Sequence, residues 1–233
     1  MNLFFQPQIP QGILHLDPDE SRHVVKVLRK KQGDQIRLTD GKGVFYDAVI
    51  TNPDSHRCEF AVQKETHETQ KSFNIHIAIA PTKNTDRMEW FVEKSVEFGI
   101  DEITLIQCDH SERQHLKIER LQKVAISAMK QSLKATLPAI YPVTTFRNIL
   151  LTSSATEKYI AYVDNDNPHQ LKNLIRPNTS YLVMIGPEGD FSAEEIMLAE
   201  ERGFIKVGLG PSRLRTETAG LAACHILNLA NTP

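Results

Sequence analysis

Tyr181-Leu182-Val183-Met184-Ile185-Gly186-Pro187-Glu188-Gly189-Asp190-Phe191-Ser192 opens with five apolar residues that run unbroken into a glycine-proline turn. A continuous apolar run of this length reads as a strand covered on both faces, the habit of parallel sheets. Ser192 is followed three residues later by Glu195, a capping-box pattern, so a helix starts there and closes at Gly203. Strand, tight loop and helix make the repeating unit of a parallel α/β sheet, and the loops at the carboxyl ends of such strands are where ligands bind. Two glycines and a proline in four residues allow a rigid turn whose backbone approaches a ligand closely. An ordinary strand-to-helix turn uses the same residues.

The unit recurs downstream. The 205–209 stretch reads as a strand and leads into Gly210-Pro211-Ser212-Arg213-Leu214-Arg215-Thr216-Glu217-Thr218-Ala219-Gly220, with an apolar helix behind it. Gly208-Leu209-Gly210 fails as a dinucleotide fingerprint, because Arg213 occupies the third glycine position. No Gly-x-x-x-x-Gly-Lys-Ser/Thr loop occurs either, which removes P-loop nucleotide hydrolysis. Two arginines, a glutamate and two threonines fall within residues 213–218, at a helix N-terminus. They suit a reaction that develops charge, and equally an Arg-Glu pair that caps the helix.

Further out, the rhythm changes near residue 70. Upstream, Asp17-Pro18-Asp19-Glu20 is a helix start, and Val24, Val27 and Leu28 are spaced as one apolar stripe. Ile36 and Leu38, then 44–50, then 58–62 read as strands separated by the turns Asp40-Gly41-Lys42-Gly43 and Asn52-Pro53-Asp54. Short strands at this spacing predict a small barrel over residues 1–70. The polar 63–72 stretch reads as a linker. From 73 to 233, strands at 73–79, 103–106, 159–163, 181–185 and 205–209 alternate with helices, including 86–98 and 118–133, so a second, α/β domain is expected there.

Bulk properties exclude several classes. No apolar run approaches the roughly 20 residues of a membrane helix, and the Met1-Asn2-Leu3-Phe4-Phe5 start lacks the pattern of a secretion signal. Three scattered cysteines argue against a disulfide framework and a zinc site, so no metal and a reducing, cytoplasmic setting are expected. The net charge of −2 does not announce a nucleic-acid binder. One local cluster, Arg22, His23, Lys26, Arg29, Lys30 and Lys31, contains no acid; it suits an RNA backbone or a solvated helix face.

Taken together, Ile185–Ser192 as IGPEGDFS and residues 209–219 as LGPSRLRTETA resemble the signature loops of the RsmE family, small-subunit ribosomal RNA uracil-N3 methyltransferases of the SPOUT class. The resemblance spans the chain. Ser21-Arg22-His23-Val24-Val25-Lys26-Val27-Leu28-Arg29 is similar to the family's motif in a PUA-like domain. Lys83, Arg87-Met88-Glu89 and Glu93-Lys94-Ser95-Val96-Glu97-Phe98-Gly99 look like its first methyltransferase helix. Ser111-Glu112-Arg113 and Ala128-Met129-Lys130-Gln131-Ser132 match weaker signatures. Two positions depart: Asp190 stands where a glycine is more usual, and Lys134 where an arginine is.

The resemblance implies a knotted SPOUT-type parallel-sheet domain at 73–233 with a C-terminal trefoil knot, preceded by a PUA-like β-barrel at 1–70 that binds RNA. It implies a homodimer, S-adenosylmethionine as cofactor, and 16S rRNA in the small ribosomal subunit as substrate, with no membrane and no metal. Cofactor contacts fall to Ile185, Gly186, Pro187, Glu188, Gly189, Leu209, Gly210, Leu214 and Thr216. Arg215 is the first candidate to stabilise charge on the uracil, Arg213 the second. Glu217 is expected chiefly to orient an arginine, with proton acceptance as its other role, and Glu188 is the alternative for either. Arg22, His23, Lys26, Arg29, Lys83 and Arg87 are the RNA-contact candidates. A SPOUT enzyme acting on another RNA, or a non-catalytic RNA-binding relative, would share much of this pattern.

Overall fold

The computed structural model describes residues 2–112, 116–164 and 169–232; Arg113 lies outside them. The chain divides into two compact units. One comprises Met1–Gln70 with Ile126–Leu137, the other Lys71–Ala125 with Pro138–Pro233. The 126–137 stretch, placed by sequence in the second domain, therefore clusters with the first.

In the first unit, strands β1 (Leu3–Phe5), β2 (Gln35–Thr39), β3 (Val44–Asn52) and β4 (Glu59–His67) form a sheet in that spatial order, with β1 parallel to β2 and the rest antiparallel. The N-terminal segment touches both edges: beyond β1 it reaches β4, where the Leu16 amide donates to the Cys58 carbonyl at 2.9 Å and the Phe60 amide to Leu14 at 3.0 Å. Phe4, Leu16, Val24, Leu38, Ile50 and Phe60 fill the interior. The 126–137 stretch is tied in by the buried Thr39 hydroxyl, which donates to the Ala135 carbonyl at 2.9 Å, and by a Lys130–Glu20 ion pair.

Two expectations change here. β4 runs to His67, pairing Val44 with His67, so the first half of the polar 63–72 stretch is strand rather than linker. Its residues are largely exposed, and an edge strand in a small sheet needs no apolar face to complete a backbone ladder. The helix start is as read: α1 (Pro18–Arg22) is capped by the Asp17 carboxylate, which accepts from the Asp19 and Glu20 amides. It then passes into a π turn at His23–Val27, closed by the Leu28 amide on the His23 carbonyl. That wider turn rotates Val27 out of the apolar stripe, leaving it 67% exposed while Val24 is fully buried.

In the second unit, β5 (Asn74–Ile79), α2 (Thr85–Phe98), β6 (Glu102–Gln107), α3 (Ile118–Gln131), β7 (Ala139–Thr145), α4 (Phe146–Thr152), β8 (Glu157–Ala161), α5 (Leu171–Leu174), β9 (Ser180–Ile185), α6 (Ala193–Glu201), β10 (Ile205–Val207) and α7 (Thr216–Asn231) follow in sequence; α3 passes into the first unit at Ile126. The sheet order is β10-β8-β9-β5-β6-β7, with every neighbouring pair parallel. The Tyr181–Ile185 run is buried throughout, as a central parallel strand must be. From β5 the chain winds outward through β6 and β7, then returns to build the other half of the sheet. The winding direction thus reverses beside β9, the kind of position where open α/β sheets bind ligands. Phe91, Val92 and Val96 of α2 are buried as expected, but Phe98 is 40% exposed and packs against His225, ring centroids 4.6 Å apart.

Candidate active site

Three loops leave the carboxyl ends of β8, β9 and β10 and enclose a cavity of about 540 Å³. The first contributes Tyr162, Val163 and Asp164. The second contributes Ile185, Gly186, Pro187, Glu188 and Asp190. The third contributes residues 208–216. Both loops singled out in the sequence thus wall one cavity, and the β8 loop, which carried no sequence signal, completes it.

The β9 loop is a tight turn: the Asp190 amide donates to the Pro187 carbonyl at 3.0 Å. Asp190 sits at φ +62°, in the left-handed region that favours glycine and that aspartate tolerates better than most residues. His110 braces the turn from the loop after β6, its Nδ1 lying 3.1 Å from the Gly189 carbonyl oxygen and 3.0 Å from that of Asp190. The capping box is complete: the Ser192 hydroxyl accepts from the Glu195 amide at 3.2 Å, and the Glu195 carboxylate accepts from the Ser192 amide at 2.9 Å. The other Glu195 oxygen accepts from the Asp109 amide at 3.0 Å, and burial pushes this carboxyl above its usual range.

The β10 loop is held by Gln170, whose side-chain Oε1 accepts from the Gly210 amide at 3.0 Å. A Cβ at Gly208 would come within 2.6 Å of Gln170 Nε2, so the Gln170 side chain packs here against bare backbone and would have to shift for any larger residue. The two signature loops are joined directly, because the buried Thr216 hydroxyl donates to the Gly186 carbonyl at 3.1 Å.

Arg215 takes the N-cap position of α7 with φ −74° and ψ 157°, and its side chain caps nothing. It is exposed and borders both the main cavity and an adjoining one of about 560 Å³, lined by Asp86, Arg87, Trp90, Arg213, Leu214, Glu217 and Thr218. Glu217 is buried, and its partner is Arg87 of α2, with Nε 3.8 Å from Oε1. Its second oxygen is buried without a hydrogen-bond partner. The arginine that Glu217 holds is therefore neither Arg213 nor Arg215. Both of those are exposed at the cavity, with positive backbone groups of the α7 N-terminus beside them.

The expected cofactor contacts gather well. Ile185, Gly186, Pro187, Glu188, Leu209, Gly210, Leu214 and Thr216 all line the main cavity. Gly189 does not; it lies against His110, and a Cβ there would come 3.1 Å from the histidine Cβ. The basic candidates separate. Arg22, His23, Lys26 and Arg29 are exposed on the first unit, Arg22 3.6 Å from Asp19. Lys83 and Arg87 belong to the second unit, where Lys83 pairs with Glu112 at 3.2 Å and Arg87 borders the cavities. Sequence reading missed His110, Gln170 and the β8 loop, all brought in by the order of the strands rather than by spacing along the chain. Among the described residues no cluster of three or more His, Cys, Asp or Glu side chains could hold a metal ion, and no helix is long and apolar enough to cross a membrane.

Residues 69–228 match the model of an RNA methyltransferase domain, and residues 16–63 that of an RNA methyltransferase PUA domain. The chain is similar to a probable rRNA methyltransferase of known structure from Porphyromonas gingivalis, at 45% identity and a TM-score of 0.93 over 99% of this chain and 98% of that one. A ribosomal RNA small subunit methyltransferase E from Neisseria gonorrhoeae, solved bound to S-adenosyl methionine, is 31% identical with a TM-score of 0.80 over 96% and 95%. The enzyme of the same name from Buchnera aphidicola (strain APS) is 30% identical, aligned over 90% of this chain and 85% of its own. An RNA methyltransferase domain over most of the chain, a PUA domain before it and these relatives place the protein in the family of ribosomal RNA small subunit methyltransferases E.

Proposed function

We propose that this protein methylates N3 of one uridine in 16S rRNA, using S-adenosylmethionine and acting on the small ribosomal subunit in the cytoplasm. The observation that carries the reading is the convergence of both signature loops on one cavity, with Arg215 standing between that cavity and the open one beside it. The residues present fit the cofactor. The walls are apolar at Ile185, Leu209 and Leu214, the rest is largely loop main chain able to read purine and ribose edges, and the volume suits a small molecule. When bound, S-adenosylmethionine supplies a methyl group on a sulfonium, an electrophile that needs no further activation.

The chain's own task is then positioning and charge. Uracil N3 carries a proton between two carbonyls and becomes nucleophilic as that proton leaves, with negative charge spreading to O2 and O4. Arg215 supplies fixed positive charge to those oxygens, helped by the α7 N-terminus, and Arg213 is the second candidate for that role. Glu217 orients Arg87 beside the second cavity, and proton acceptance from N3 is its other role in this reading. Arg22, His23, Lys26 and Arg29 of the PUA domain grip RNA backbone; within the methyltransferase domain, Lys83 is the further candidate for an RNA contact. As in the family this sequence resembles, the catalytic domain is a SPOUT-type trefoil knot and the active form a homodimer.

Nucleoside mass spectrometry of 16S rRNA from cells lacking the gene tests the reading. Loss of 3-methyluridine, restored by the wild-type gene, is the expected result. Persistence of 3-methyluridine would overturn the uracil assignment, and light scattering that finds only monomer would overturn the dimer.

A further inference from the structure

Two opposite charges face one another in the main cavity from different loops. Asp190, on the β9 loop, is half-buried and lines the wall. Arg213, on the β10 loop, lines the same cavity and acts on Asp190 through its charge. The carboxylate of Asp190 is anchored by the backbone N–H groups of Phe191, at 2.9 Å, and Val163, so it also ties the β8 loop to the β9 loop. His110 also lies against this residue, its Nδ1 3.0 Å from the Asp190 carbonyl oxygen. These contacts do not make up for burial, which leaves the Asp190 carboxyl above its usual range; a cation arriving beside it would be welcome. The position itself costs something. A left-handed φ of +62° favours glycine, so the side chain is retained against a conformational preference.

We infer that Asp190 and Arg213 form a clamp for the α-amino-acid end of the cofactor, the carboxylate receiving the ammonium group and the guanidinium receiving the carboxylate. The chemistry matches: a half-buried anion beside an exposed cation complements a zwitterion, and charge-assisted hydrogen bonds are the strong ones at such a site. Arg213 then belongs to cofactor binding, and Arg215 stands alone as the arginine for the base. This rests on the cofactor reading above and refines it.

Calorimetry with three ligands separates the possibilities: S-adenosylmethionine, S-adenosylhomocysteine and 5′-methylthioadenosine, which keeps the nucleoside but lacks the amino-acid end. Asp190→Asn suits the test, because asparagine also tolerates the left-handed region and its amide oxygen can still accept from the Phe191 N–H. The variant should bind the first two ligands about tenfold more weakly, the scale of one charge-assisted hydrogen bond, with 5′-methylthioadenosine unchanged. Arg213→Gln should show the same selective loss. Equal weakening of all three ligands, no change in any, or a loss confined to S-adenosylmethionine would each overturn the clamp; the last would mark a contact to the sulfonium instead. The wild type supplies a check that needs no variant: it should prefer S-adenosylhomocysteine to 5′-methylthioadenosine, and equal affinity would overturn the proposal. Wild-type protein that binds none of the three would remove the cofactor reading itself, a result distinct from every failure of the clamp.

Discussion

Glu217 Oε1 lies 3.8 Å from Arg87 Nε, joining the first turn of α7 to the first turn of α2 across the mouth of the second cavity. The residues are 130 positions apart in the chain, and each was assigned a separate duty from sequence. Their pairing gives Arg87 a defined place beside Arg213 and Arg215, so three guanidinium groups border one groove while a single buried carboxylate orients one of them. Glu217→Gln keeps the shape and removes the charge. We expect kcat/KM for rRNA methylation to fall roughly tenfold or more, as for loss of an orienting charge pair, with affinity for S-adenosylmethionine unchanged. A variant with full activity would show that the pair is only structural.

Arg215 has the opposite character, since its side chain makes no capping bond and stands exposed where the two cavities meet. Arg215→Ala should abolish turnover and leave cofactor affinity within about tenfold, less than roughly 1.4 kcal/mol. Single-turnover assays and calorimetry on the same preparation measure the two halves of that statement. Activity at the wild-type level would take Arg215 out of the reaction.

Gly220 is a packing prediction. A Cβ there would stand 2.7 Å from Phe91 Cε2 and 3.0 Å from Ile79 Cδ1, so α7 lies close against α2 and β5 only because residue 220 has no side chain. Gly220→Ala should destabilise the protein by about 1–3 kcal/mol, the usual result of overpacking, even though alanine is the better helix former. Denaturant unfolding reads this directly, and a gain in stability would show that the phenyl ring yields.

The cysteines make a chemical prediction. Cys58, Cys108 and Cys224 are all buried and free of disulfides, and burial pushes the Cys58 and Cys108 thiols up, Cys108 well beyond the usual range. A thiol held protonated and out of solvent reacts slowly. A thiol-reactive dye at pH 8 should label none of the three quickly in the native protein and all three after unfolding. Rapid native labelling of Cys108 would show that the loop after β6 opens.

Much of this protein is legible without coordinates, and for identifiable reasons. Tyr181–Ile185 had to be a buried parallel strand because no face of it is polar, and Ser192 with Glu195 had to start a helix because each satisfies the other's backbone amide. The helix start at Asp17 was readable for the same reason. Local patterns and short hydrogen-bonded motifs report on neighbours a few residues away, and those neighbours are present in the sequence. Tertiary structure decided the rest. Only the strand order β10-β8-β9-β5-β6-β7 brings the β8, β9 and β10 loops around one cavity. Only packing sets Glu217 on Arg87 and His110 beneath Gly189 and Asp190, and only the π turn at His23–Val27 turns Val27 outward. Contacts between residues a hundred positions apart leave no period or spacing in the chain, because their partners are chosen by the path of the backbone.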